Sequence, residues 1–181
     1  MSRVVVLPYD PQWPKRFGAL SARLAPALIG LESRLEHVGS TSVPGLAAKP
    51  IIDADVIVAA ADVPAAIAAL APLGYAHRGE LGILGRHAFT RPEGTFSHNL
   101  YVCVDGCESL HNHLALRDHL RAHPDDAATY GELKLALARR HPDDIDAYIE
   151  GKTAFIIGIL SRQGMTGDAL ERITDANRKR S

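Results

Sequence analysis

The chain has 181 residues, of which 46% are hydrophobic. This is enough for one domain with a sizeable core, and the composition argues against disorder. The chain carries 20 Lys and Arg against 21 Asp and Glu, a formal net charge of −1. That balance argues against a general nucleic-acid-binding protein, which normally has a basic excess.

The sequence also gives expectations about compartment. The N-terminal residues contain no apolar core typical of a signal peptide. The most apolar window, residues 63–76, is too short to span a bilayer. Two cysteines, Cys103 and Cys107, do not make a disulfide framework. We therefore expect a cytoplasmic protein without a membrane partner, and the oligomeric state is left open.

The first third of the chain predicts a strand, a helix and a second strand. Residues 3–7 are a β-branched run and predict a short strand. Asp10 as N-cap and Pro11 at the first helical position begin a helix over residues 11–29. Its apolar residues recur every three or four positions: Trp13, Phe17, Leu20, Leu24 and Leu28. Residues 50–58, "PIIDADVIV", predict the clearest strand.

The rest of the chain changes from mixed to helical. A helix is predicted over 62–72, followed by strands over 74–79, 86–91 and 97–104. Helices are then predicted over 109–122, 125–140 and 143–162, two of them with Pro near the start. Nothing resembles a flexible linker, so residues 1–163 are expected to form one domain. Residues 164–181 read as a polar tail, either a weak helix or a frayed end.

Two aspartates stand inside the clearest predicted strand. Because side chains alternate along a strand, Asp53 and Asp55 share one face. Two bare carboxylates so close together repel each other, and a bound divalent cation removes that conflict. Mg²⁺ prefers a few carboxylates together with substrate phosphates. An Asp-x-Asp pair alone is also common on half-exposed strands, so the interpretation needs a second feature.

The second feature is the turn Gly39–Ser40, upstream of the pair. Such a turn exposes backbone N–H groups and a hydroxyl that can bind phosphate oxygens. It is not a P-loop, because Pro44 stands where the second glycine of that motif belongs. A Gly-Ser turn followed by hydrophobic-Asp-x-Asp-hydrophobic resembles the signature of the polymerase-beta-like nucleotidyltransferase superfamily.

A longer string makes the resemblance more particular. "HVGSTSVPGLAAKPIID", with "YDPQW" before it and "LRDHLRAHP" after it, resembles the GrpB family over about residues 9–160. That family is similar to the minimal nucleotidyltransferases. The resemblance implies an α/β (α+β) fold: a small mixed sheet flanked by helices, with a helical C-terminal part.

The resemblance also implies roles for particular residues. Asp53 and Asp55 would bind Mg²⁺ or Mn²⁺, and Gly39 and Ser40 would hold the phosphates of a nucleoside triphosphate substrate. On physical grounds Ser42 and Lys49 are further phosphate-binding candidates, although a turn hydrogen bond and a solvated charge are equally good interpretations of these two.

The superfamily usually adds a third carboxylate on a neighbouring strand, and this chain lacks one there. The corresponding segment, "SHNLYVCVD", offers His98, Asn99 and Tyr101 and no acid before Asp105. His98 is the candidate catalytic replacement, as a metal ligand or a base. An ordinary strand histidine is the equally weighted alternative.

Basic residues recur on the predicted C-terminal helices. His113, Arg117 and Arg121 are spaced by four and share a helix face. Lys134 and Lys152 each stand four residues after a tyrosine, so each ammonium lies beside a ring. Arg117, Lys134 and Lys152 are candidates for binding phosphate, and matching residues recur in the GrpB-like pattern. Solvated helix faces are the competing interpretation.

Three functions follow from these features. The first is a Mg²⁺-dependent nucleotidyltransferase with an unidentified acceptor. The second is a module of the same fold that binds a nucleotide or phosphorylated metabolite without transfer, and the third is a metal-dependent phosphohydrolase. A zinc site at Cys103, Cys107, His111 and His113 is disfavoured, since the spacing matches no common pattern. A serine hydrolase is disfavoured because no Gly-x-Ser-x-Gly elbow is present.

Overall fold

The computed structural model describes residues 3–178 and contains a five-stranded mixed sheet. The strands lie in the order β1-β2-β5-β4-β3. β2 and β5 are parallel, and the other neighbouring pairs are antiparallel. The strands are β1 (Ser33–Val38), β2 (Ile52–Val58), β3 (Ala76–His77), β4 (Arg86–Thr90) and β5 (His98–Val104). This confirms the predicted fold class.

Six α-helices flank the sheet within residues 3–178. They are α1 (Gln12–Leu24), α2 (Val63–Leu70), α3 (Glu108–Ala122), α4 (Pro124–Arg140), α5 (Ile145–Arg162) and α6 (Gly167–Arg178). α1 begins one residue later than predicted, and Asp10 still accepts a hydrogen bond from the Gln12 N–H at 2.8 Å. Asp144 caps α5 by accepting the Ala147 N–H at 2.9 Å. No helix of the described residues is long and apolar enough to cross a membrane.

The sheet is covered on both faces. On one face Ala54, Val56 and Leu100 pack against α1 and α2. On the other face Ile57 and Cys103 pack against Leu110 of α3. A second core joins α3, α4 and α5 to the segment after β1 through Val43, Leu46, Leu120, Ala127, Tyr130 and Ile159. Within β2, Asp55 is therefore buried and Asp53, nearer the start of the strand, is partly buried.

One expectation at the N-terminal end needs correction. Residues 3–7 do not form a regular strand: Leu7 makes one isolated bridge with Ala48, and the Val4 N–H donates to Pro142 O at 2.7 Å. At the other end, the helical alternative for the polar tail is the one present, over Gly167–Arg178, where Ala169 is buried and Asn177 Nδ2 donates to Thr153 Oγ1 at 3.0 Å. Residues 179–181 lie outside the described part.

Because α6 buries side chains against α5, its removal should destabilise the domain. We expect deletion of residues 165–181 to lower the free energy of unfolding by about 1–3 kcal/mol, measured by urea denaturation. Arg172→Ala is the control, since it removes only an exposed ion pair with Glu108 and should cost less than about 1 kcal/mol. Equal effects of the deletion and the control would contradict a packing role for α6.

Candidate functional site

Asp53 and Asp55 lie on the face of β2 that α3 covers. The parallel register with β5 places Asn99 beside Asp53 and Tyr101 beside Asp55. The two carboxylates thus share one face with Asn99 and Tyr101 of β5. This is the arrangement that alternation along a strand predicts.

Asp55 is completely buried, with an exposed fraction of 0%. His113 of α3 donates a hydrogen bond from Nδ1 to its Oδ2 at 2.7 Å. The other oxygen, Oδ1, is buried and has no hydrogen-bond partner among the described residues. A buried carboxylate oxygen without a partner costs free energy, and a bound cation would satisfy it.

His113 brings positive charge to the pair. Burial acts to lower the pKa of His113, but the charge and hydrogen bond of Asp55, together with the charge of Asp53, outweigh burial and raise it. The imidazole therefore favours its protonated form beside Asp55.

Asp53 connects the pair to the glycine turn. Its Oδ1 accepts a hydrogen bond from Asn99 Nδ2 at 2.7 Å. Burial raises the pKa of Asp53, against the Asn99 hydrogen bond and the charges of His113 and Lys152, which lower it. A Cβ atom placed on Gly39 would lie 2.3 Å from Oδ2 of Asp53. Only glycine leaves room for this approach of the turn to the carboxylate.

The turn itself also requires glycine. Gly39 has φ +70° and ψ −175°, a conformation that side chains other than glycine rarely adopt. Its carbonyl accepts hydrogen bonds from the Ser42 N–H at 3.2 Å and the Ser42 hydroxyl at 2.6 Å. The turn and the aspartate pair therefore lie together, as expected from the sequence, and their ligand roles stay predictions.

The two serines of the turn differ. Ser42 is buried and its hydroxyl is used inside the turn, which favours the structural interpretation given above. Ser40 opens the short 3₁₀ segment Ser40–Ser42 and is only partly buried, so its hydroxyl can reach a ligand. Ser40 is thus the better phosphate candidate of the two.

Two arginines of α3 hold the turn in place. Arg117 donates from Nη1 to Glu36 Oε2 at 2.6 Å and to His37 O at 3.1 Å. Arg121 donates to Ser42 O at 3.0 and 2.8 Å. The predicted phosphate role of Arg117 is therefore not favoured by its contacts, because its guanidinium already has a carboxylate partner.

Burial and these two arginines lower the pKa of His37 to about 4, so the His37 side chain is neutral.

The three candidate lysines form a group that we call the lysine cluster: Lys49, Lys134 and Lys152. Lys49 and Lys152 lie 5.9 and 5.3 Å from the centre of the Tyr148 ring. The charge of Lys152 lowers the pKa of both Asp53 and Lys134. Lys152 is therefore electrostatically coupled both to Asp53 and to Lys134.

Lys134 is the most unusual member of the cluster. It is 1% exposed, and its Nζ has no hydrogen-bond partner among the described residues. Its ammonium lies 4.4 Å from the centre of the Tyr130 ring. Burial, with the charge of Lys152, lowers the pKa of Lys134 to about 6. At neutral pH most of the lysine is therefore uncharged in the folded protein.

His98 does not lie with the aspartates. It pairs with Ile52 in the β2–β5 register and faces the core formed with α1 and α2. It is 3% exposed, and both ring nitrogens are used: Tyr75 OH lies 2.8 Å from Nε2 and Phe96 O lies 2.8 Å from Nδ1. The structure contradicts the expected catalytic placement, because His98 points to the opposite face of the sheet.

Metal-binding geometry is limited to the pair. Within residues 3–178 no group of three or more His, Cys, Asp or Glu side chains is arranged to hold a metal ion. Two carboxylates and one unsatisfied oxygen still fit Mg²⁺ or Mn²⁺, because such ions take their remaining ligands from water and substrate phosphates. Asp53 and Asp55 would hold the ion.

Asn99 and His113 complete the site, and neither was assigned a role from the sequence. From the sequence, Asn99 is only a residue of the strand that lacks the third acid. The sequence signal for His113 is its spacing of four from Arg117, which places both on one face of α3. The contact between His113 and Asp55 joins residues 58 positions apart, which sequence spacing does not reveal.

A central parallel strand pair, with an Asp-x-Asp on one strand and a glycine turn against it, gives the chain a nucleotidyltransferase-like fold. A crystal structure of the poly(U) polymerase Cid1 with Mg and 3′-dATP shares this fold. Its TM-score is 0.54 at 14% identity, covering 84% of this chain and 49% of that chain. At this identity the likeness concerns the fold alone.

The chain belongs to the GrpB family, whose model, described as "GrpB protein", matches residues 3–162. The crystal structure of GrpB from Enterococcus faecalis has a TM-score of 0.77 and 37% identity, covering 93% of this chain and 98% of that chain. A UPF0157 protein of Pseudomonas aeruginosa is 42% identical over 163 residues, 88% of this chain and 67% of its own.

The contact between Gly39 and Asp53 predicts a large effect of a methyl group. We expect Gly39→Ala to lower the free energy of unfolding by about 2–4 kcal/mol, because the left-handed backbone and the clash with Asp53 add together. Gly45→Ala is the control: Gly45 has φ +78° with nothing within 4 Å of an added Cβ. Urea denaturation should show only about 1–2 kcal/mol for the control. Similar losses in both variants would rule out the clash.

Replacing the buried Lys134 should raise the free energy of unfolding, whereas Gly39→Ala should lower it. Its folded pKa, about 6, lies below its unfolded value of 10.5, so stability rises with pH between these values. We expect Lys134→Met to raise the free energy of unfolding at pH 7 by about 1–3 kcal/mol. The gain should shrink towards pH 10, as measured by denaturation at several pH values. A gain that does not change with pH would contradict the lowered pKa.

Proposed function

We propose that the chain is a metal-dependent nucleotidyltransferase that moves a nucleotidyl group from a nucleoside triphosphate to an acceptor hydroxyl. The observation that carries the proposal is the completely buried carboxylate of Asp55, with one oxygen unsatisfied, beside Asp53 and the Gly39 turn. Mg²⁺ or Mn²⁺ would supply charge neutralisation at the transferring phosphate.

The phosphates of the triphosphate would bind at the lysine cluster and the Gly39–Ser40 turn. The Gly39–Ser40 turn lies against Asp53, and Lys152 is electrostatically coupled to the same carboxylate. Lys49 lies over the ring that Lys152 also approaches. A phosphate bound there would receive positive charge from the lysine cluster, including Lys134 once it takes up a proton. Arg117 acts through the turn, which it holds in position.

In the proposed reaction the acceptor hydroxyl oxygen forms a bond to the α-phosphorus. The bond between that phosphorus and the oxygen bridging to the β-phosphorus breaks, pyrophosphate leaves, and the hydroxyl proton passes to solvent water. The protein contributes position and charge: His113 holds Asp55, Asn99 holds Asp53, and the turn limits where the phosphates can lie.

A second candidate function is a binding module of the same fold. The observation in its favour is Asn99, which stands on β5 beside Asp53, on the strand where the superfamily usually has a third acid. An amide donates a hydrogen bond to Asp53 and cannot accept a proton from an acceptor hydroxyl. Such a module would bind the nucleotide without turnover.

One experiment separates the two. The protein is incubated with each α-labelled nucleoside triphosphate, Mg²⁺ or Mn²⁺, and a cell extract as the source of acceptors. We expect label transfer that falls by at least ~100-fold in Asp53→Asn and Asp55→Asn. Asp105→Asn is the control, because Asp105 is exposed at the end of β5 and pairs with Arg34; it should transfer as the natural protein does.

The other outcomes are equally informative. Saturable triphosphate binding without transfer would favour the binding module over the transferase. Release of labelled nucleotide into water, dependent on the same two aspartates, would favour the phosphohydrolase. Absence of both triphosphate and metal affinity would overturn all three assignments.

A further inference from the structure

A buried arginine, Arg86, lies on the face of the sheet that carries Asp53 and Asp55. It has no role in the nucleotide binding proposed above. Arg86 begins β4 and pairs with Cys103 of β5, which places its side chain on the same face as Tyr101 and Asp55. It is 7% exposed, and its Nε is buried without a hydrogen-bond partner. Within residues 3–178 it forms no ion pair.

An aromatic ring is the main contact of this guanidinium. The Cζ of Arg86 lies 4.6 Å from the centre of the Tyr101 ring, a cation–π contact. Stacking fixes the guanidinium plane and leaves its N–H groups at the edge, where they can bind an oxyanion. A ring face is not a counter-ion, and a buried charge without one carries a desolvation penalty.

Arg86 belongs to a continuous row that ends at the aspartates. The ring centres of Tyr101 and His113 are 6.2 Å apart, and His113 is hydrogen-bonded to Asp55. The charge of Arg86 acts to lower the pKa of His113, which places the two within electrostatic range. β4 and β2 are separated by β5, so their backbones lie roughly 10 Å apart.

Lys152 of the lysine cluster is coupled to the other end of the pair. Lys152 acts on Asp53, whereas Arg86 acts on His113, the partner of Asp55. The phosphates of the triphosphate are assigned to the lysine cluster, so Arg86, buried over the Tyr101 ring, is left without an assigned anion.

We infer that Arg86 binds a carboxylate or phosphate group of the acceptor, which is then a small anionic molecule. This inference rests on the proposed transferase function. The acceptor anion lies at the edge of the Arg86 guanidinium, and its hydroxyl lies at the aspartate pair, within roughly 10 Å along the row. Tyr101 positions Arg86 through the contact between its ring and the guanidinium.

The anion site can be tested without knowing the acceptor. The protein, with ¹³C-labelled tyrosine rings, is titrated with inorganic phosphate and separately with acetate, at an ionic strength held constant with chloride. We expect a saturable shift of the Tyr101 ring signal, assigned through Tyr101→Phe, with at least one anion. Arg86→Gln should raise the apparent Kd at least about tenfold. Arg78→Gln, which changes an exposed arginine bonded to Thr90, should leave it unchanged.

Two further measurements distinguish a loss of anion binding from a loss of the fold. Signals of the other tyrosines show whether Arg86→Gln is folded. Arg86→Lys keeps the charge and loses the planar stack, so its Kd should rise by about 3–10-fold. The inference is overturned by an unsaturable Tyr101 response with both anions, or by Kd values in both Arg86 variants that equal the natural one.

The same samples separate this inference from the proposed function. Titration with Mg²⁺ and ATP or UTP should give the same nucleotide affinity in the natural protein and in Arg86→Gln. Anion binding at Tyr101 without any nucleotide affinity would uphold the site and overturn its assignment to an acceptor. Nucleotide affinity without anion binding at Tyr101 would overturn the inference and leave the transferase proposal standing.

Discussion

The complete burial of the Asp55 carboxylate is the constraint on which the rest of the site depends. A buried charge needs partners, and β2 is covered on both faces, so water cannot supply them. α3 supplies His113, and the Gly39 turn closes against the neighbouring Asp53. The unsatisfied oxygen of Asp55 then defines a place for one more positive group.

The basic side chains around the aspartate pair are of two kinds: those that hold neighbouring segments in place through hydrogen bonds, and those that have no such partner among the described residues. Arg117 and Arg121 join α3 to β1 and to the turn. Buried nitrogens of Lys134 and Arg86 have no hydrogen-bond partner among the described residues. Residues of the first kind stabilise the position of the turn, whereas residues of the second kind reduce the stability of the fold.

Hydrophobic periodicity predicts most helices and strands, whereas the fold class and the unit formed by the turn with Asp53 and Asp55 follow from the resemblance to the GrpB family. The failure at His98 has a specific physical cause. A shift of one residue in the pairing of β2 with β5 moves a side chain to the other face of the sheet. The sequence of neither strand alone determines that register. With Asn99 beside Asp53, His98 is directed into the core. The contact of Arg117 with Glu36 is hidden from the sequence for a related reason, because the two residues lie 81 positions apart.

The order in which the site's residues occur along the chain has a consequence for its assembly during synthesis. The aspartates and the glycine turn are synthesised early, and the positively charged groups beside them follow later: His113 on α3 and Lys152 on α5. A nascent chain that has completed the sheet and α3 but not α5 therefore presents the paired carboxylates without Lys152. The positive charge around the pair is complete only once α5 has been synthesised and has docked.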